Sequence, residues 1–101
     1  NYKKIFMTVK DINLLLKKGH SIGLHSHSHP HNLSSLTFKK QKLEYLQNLK
    51  ILKNINKNFI YNSVSHPTGS YNKDSLEILK KLDIKIGFNS SISILKTTKK
   101  K

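Results

Sequence analysis

The sequence predicts an α/β fold, a partial parallel β/α barrel in which helices and strands alternate. Two observations lead there. Three capped segments carry apolar residues at helical spacing, and each is followed by a short run of strand-forming residues. The resulting order is helix, strand, helix, strand, helix, strand. Strands joined by helical crossovers run parallel, and a parallel sheet needs cover on both faces. Three strands make an incomplete sheet, hence a section of a barrel.

Each element has a local reason. Residues 8–18 read as a helix: Thr8 caps it, Asp11 suits the positive end of the dipole, and Ile12, Leu15 and Leu16 form an apolar stripe. Gly19 ends it. Residues 21–25 read as a short buried strand built on Ile22 and Leu24, and residues 26–35, rich in Ser, His, Asn and Pro, as a loop. Thr37 caps a second helix reaching Asn56, with Leu43, Leu46, Leu49, Leu52 and Ile55 recurring every third position. Residues 59–65 form a second strand, and Pro67 to Tyr71 a turn. Asn72 caps a third helix over 73–82 with Leu76, Leu79 and Leu82 facing inward. Ile84, Ile86 and Phe88 then alternate with Lys85 and Gly87 as the third strand. The polar residues 96–101 form a Lys-rich tail behind a domain spanning 1–95.

Composition narrows the function. The chain has 101 residues and a formal net charge of +14, and all 19 of its basic residues are Lys. A nucleic-acid partner is disfavoured, because Arg supplies the bidentate base and phosphate contacts and none is present. Abundant Lys, Asn and Ile together fit a coding bias as well as a partner. No run approaches the roughly 18 apolar residues of a membrane span. The first residues lack the apolar stretch of a signal peptide and begin without Met, so the natural chain is expected to extend upstream. Without cysteine, a metal site must use imidazole and oxygen ligands.

Five of the six histidines lie in Gly19-His20-Ser21-Ile22-Gly23-Leu24-His25-Ser26-His27-Ser28-His29-Pro30-His31. Imidazole is a preferred ligand for zinc and its neighbours, and the segment leaves a strand at its C-terminal end, where β/α barrels place their chemistry. Physics alone therefore gives a metal site with at least two imidazole ligands, without deciding which.

The segment, with Leu33-Ser34-Ser35-Leu36 after it, resembles the second conserved motif of the polysaccharide deacetylase family, carbohydrate esterase family 4. The resemblance implies that His25 and His29 bind a divalent metal, zinc foremost, while Ser26 braces the loop. His20, His27 and His31 are left without catalytic roles. Ser65-His66-Pro67-Thr68-Gly69 resembles the third family motif in a variant with a small residue at the usual Arg position. That implies a loop shaped by Pro67 and Gly69, in which the Thr68 backbone N–H faces a developing oxyanion. His66, at the aromatic position, is a second catalytic candidate with an equally weighted structural role.

The resemblance covers roughly Met7 to Asn89, the middle of a distorted (β/α)7 deacetylase barrel. It implies hydrolysis of N-acetyl groups on a polysaccharide or oligosaccharide, an activity often placed at the cell envelope. The family's paired Asp on the first strand has no match: the acidic residues are Asp11, Glu44, Asp74, Glu77 and Asp83. The chain alone is therefore expected to be incomplete as an enzyme. The alternatives are a non-catalytic His-rich metal binder and a Lys-rich module for nucleic acid or an anionic surface.

Overall fold

The structure is a computed structural model and describes residues 7–89. The expected tail at 96–101 lies outside these residues.

All three expected helices form, and their caps explain where they start. Helix α1 (Val9–Lys17) opens on a reciprocal pair: the Thr8 hydroxyl accepts the Asp11 N–H at 3.2 Å, and the Asp11 carboxylate accepts the Thr8 N–H at 3.0 Å. Helix α2 (Phe38–Ile55) is capped by Thr37, which accepts the Lys40 N–H. Helix α3 (Lys73–Lys81) is capped by Asn72 through Ser75.

The strands are shorter than their sequence pattern. Strand β1 (Ser63–Ser65) pairs in parallel with β2 (Ile86–Phe88), Val64 opposite Gly87. The expected first strand over 21–25 contracts to a single parallel bridge, Leu24 to Val64. There the Leu24 N–H donates to the Ser63 carbonyl at 2.8 Å, and the Ser65 N–H to the Leu24 carbonyl at 2.9 Å. Residues 59–62 do not enter the sheet. Tyr61 is buried instead, its hydroxyl shared between the Leu52 and Asn56 carbonyls at the end of α2.

The spatial order is thus Leu24, β1, β2, with α2 crossing from Leu24 to β1 and α3 from β1 to β2. The α/β alternation holds. Closure into a barrel is not seen among the described residues, which contain a two-stranded parallel sheet.

The core comprises Leu24, Leu33, Tyr45, Leu52, Tyr61, Val64, Ile78, Leu79 and Ile84. Burying such a side chain contributes about 2 kcal/mol. Two expected stripes are corrected. On α2 the buried residues are Gln41, Tyr45 and Leu52, while Leu43 is 58% exposed and Leu46 39%. Each three-residue step advances the helix by about 300°, so a strict three-residue repeat drifts round the axis and cannot stay on one face. On α3 the buried residues are Ser75, Ile78 and Leu79, with Leu76 half exposed for the same reason. On β2, Ile84 is buried just before the strand, but Ile86 and Phe88 remain about half exposed.

Candidate metal centre

The bridge at Leu24 delivers His25 to the end of β1. The His25 N–H donates to Asn48 Oδ1 at 2.8 Å, fixing the backbone against α2. Its ring is fixed from the other side: Nδ1 lies 2.7 Å from the Ser65 carbonyl oxygen. A carbonyl only accepts, so Nδ1 carries the proton. Nε2 is then the nitrogen through which this ring could ligate a metal.

From His25 to His29 the chain makes a tight loop with two left-handed residues that are not glycine, Ser26 at φ 69° and His29 at φ 55°. Ser26 is buried, and its hydroxyl accepts the His29 N–H at 3.1 Å. The loop folds His29 back over His25, ring centroids 4.7 Å apart and inclined at 61°. Both rings border open space. A cleft of about 490 Å³ beside His25 is lined by Leu24, Ser63, Ser65 and Phe88 among others.

Glu44 of α2 grips the middle of this loop. One carboxylate oxygen accepts the N–H groups of His27 at 3.0 Å and Ser28 at 2.8 Å, and the other accepts the Ser28 hydroxyl at 2.6 Å. Burial, the largest influence, pushes its pKa up. The Ser28 hydroxyl, the two N–H groups and the nearby His27 ring together outweigh burial and hold the pKa below the usual carboxylate value.

The second loop lies alongside. Pro67–Gly69 makes one 3-10 turn in which Thr68 is left-handed at φ 53° and Gly69 at φ 70°. The Thr68 hydroxyl donates to the His31 carbonyl at 2.8 Å, and Ser70 Oγ bonds both Asn32 and Ser34. The two loops are therefore tied together. Pro67 is fully buried beneath them and Thr68 is exposed.

His66 has different surroundings. It is 9% exposed, stacks on Tyr71 with centroids 4.2 Å apart, and lines a cavity of about 130 Å³ with Leu76, Leu79, Ile86 and Gly87. Its Nδ1 has no hydrogen-bond partner among the described residues. Burial lowers its pKa, so the ring stays neutral. His25 and Ser65 line the cleft, while His66 packs against α3. His20, His27 and His31 are exposed.

No group of three His, Cys, Asp or Glu side chains converges among the described residues. His25 and His29 fit a divalent ion as two of its ligands, with Nε2 of His25 the nitrogen turned away from the Ser65 carbonyl.

The sequence model describing polysaccharide deacetylases matches residues 3–87. The chain belongs to the polysaccharide deacetylase family. Solved structures agree in fold. The Streptococcus pyogenes deacetylase PplD, in complex with acetate, superposes with a TM-score of 0.75 at 25% identity, over 84% of this chain and 37% of that one. A CE4 family pseudoenzyme from Bacillus anthracis superposes with a TM-score of 0.70 at 13% identity, over 86% of this chain and 29% of that one. A mutant pseudoenzyme with restored enzymatic activity matches equally well. The chain thus spans about a third of the length of these structures. No curated protein matches it.

Two residues of this candidate site escape a motif-based reading, Glu44 and Asn48. Their signal in the sequence was faint: polar residues one helical turn apart on α2, beside the buried Gln41 and Tyr45.

Proposed function

We propose that this chain supplies the imidazole and oxyanion loops of a metal-dependent deacetylase that removes N-acetyl groups from amino sugars in a polysaccharide or oligosaccharide. Family membership supports deacetylase-type chemistry. The observation that carries the metal reading is the 2.7 Å contact from His25 Nδ1 to the Ser65 carbonyl. It leaves Nε2 as the nitrogen that could ligate. His25 and His29 would hold the ion, zinc foremost, which when bound supplies Lewis acidity toward the acetamide carbonyl.

The remaining roles follow from the loops. Ser26 holds His29 back over His25. Pro67 and Gly69 hold Thr68 exposed beside the His loop, so that its N–H is available to the developing oxyanion. His66, stacked on Tyr71 against α3, supports that loop from below.

The test is zinc stoichiometry and affinity of the chain beside His25→Ala and His29→Ala. Each substitution is expected to weaken binding by more than about tenfold. Binding unchanged in both variants would remove these residues from the ligand set. Acetate release from an N-acetylated oligosaccharide by the parent protein tests the reaction. Zinc binding without release would leave a pseudoenzyme-like metal protein.

A further inference from the structure

We infer that Glu44 is the positioning residue of the metal loop: it sets the geometry of His25 and His29 from α2 without touching the ion. The inference rests on the functional reading of those two histidines.

The loop cannot hold itself. Ser26 and His29 both adopt left-handed backbone, which costs energy for any residue bearing a Cβ, so surrounding contacts must over-determine the shape. The Ser26 hydroxyl supplies one such contact, to the His29 N–H. Glu44 supplies three, all to His27 and Ser28, two of the three residues between His25 and His29. One of its oxygens takes two successive N–H groups, an arrangement that only an acceptor with spare lone pairs satisfies. The other takes the Ser28 hydroxyl. Hydrogen bonds to an ionised acceptor are the stronger kind.

The origin of this grip matters as much as its strength. Glu44 lies inside an 18-residue helix, next to the fully buried Tyr45 and three positions from the fully buried Gln41. Its backbone is therefore anchored on the core. Asn48, one turn on along the same helix, takes the His25 N–H. One face of α2 thus holds the start and the middle of the loop, and Ser26 closes its end. Both carboxylate oxygens are committed to the loop, and Glu44 joins no converging group of three potential ligands among the described residues. Its role is to position.

The test compares zinc affinity, thermal stability and amide hydrogen exchange for the full chain, Glu44→Ala and Glu44→Gln. Glu44→Ala is expected to weaken zinc binding about ten- to a hundredfold, the usual effect of losing a group that orients a ligand. The amides of His27 and Ser28 should lose protection while those of the α2 interior keep it. Glu44→Gln is expected to fall between, since its amide oxygen still accepts the two N–H groups and its amide nitrogen can donate to Ser28 Oγ. A merely structural residue would lower the melting temperature and leave the zinc affinity of the folded protein unchanged. That result, or equal affinity in wild type and Glu44→Ala, overturns the inference. If wild type holds no zinc, the functional reading fails by itself, and positioning then stands or falls on the exchange of the two amides.

Discussion

Gln41 and Leu43 are two positions apart on α2 and exchange the roles their chemistry suggests. Gln41 is fully buried: its amide nitrogen donates to the Leu36 carbonyl and to Asn72 Oδ1, and its oxygen accepts from the buried Ser75 hydroxyl. It ties α2 to the cap of α3. Leu43 faces outward. Replacing Gln41 by Leu strands these partners and is expected to cost about 2 kcal/mol. Leu43→Ser should stay within about 0.5 kcal/mol of wild type, as surface changes do. Urea unfolding midpoints check both, and the reverse ranking would contradict the placement of α2. The sequence pattern pointed to the leucines because a three-residue repeat mimics a stripe. A buried glutamine becomes legible only when its partners, five, 31 and 34 residues away, are seen. Glu44 escaped notice for the same reason: it meets its loop across 16 and 17 residues, a distance no local spacing encodes.

Among the elements, the helices were legible because their start signals are local. Thr8, Thr37 and Asn72 each cap the helix they were expected to cap. Strand extents were not, since a strand residue counts only when a distant neighbour pairs with it. The bridge at Leu24 shows how narrow that pairing is. A Cβ on Gly23 would lie 2.5 Å from Ser63 Oγ and 3.0 Å from the Ser63 carbonyl oxygen, so the two segments approach closely only because Gly23 has no side chain. Gly23→Ala is expected to cost about 1–3 kcal/mol. It should also speed exchange of the Leu24 and Ser65 amides, which make the bridge. Unchanged protection of both amides would mean that the segment is held by something other than this contact.

The whole molecule should lose stability on acidification in two stages. His66 has its pKa lowered by burial, so the folded state resists protonation. Its contribution is complete above the ordinary value of 6.5 and is lost as pH falls below it. Glu44 is also lowered, so its contribution is complete above 4.5 and is lost on further acidification. Melting temperature should therefore descend first below about pH 6.5 and again below about pH 4.5. His66→Gln should abolish the upper descent and Glu44→Gln the lower. A profile that rises on acidification would contradict both assignments.

The contact between His25 Nδ1 and the Ser65 carbonyl joins residues 40 positions apart. A peptide spanning residues 19–31 would contain five of the six imidazoles yet lack the carbonyl that chooses which nitrogen is free. In such a peptide either nitrogen could take the ion. On the proposed function, metal recognition would thus be acquired when the chain folds, and zinc in solution would favour the folded population over the unfolded one.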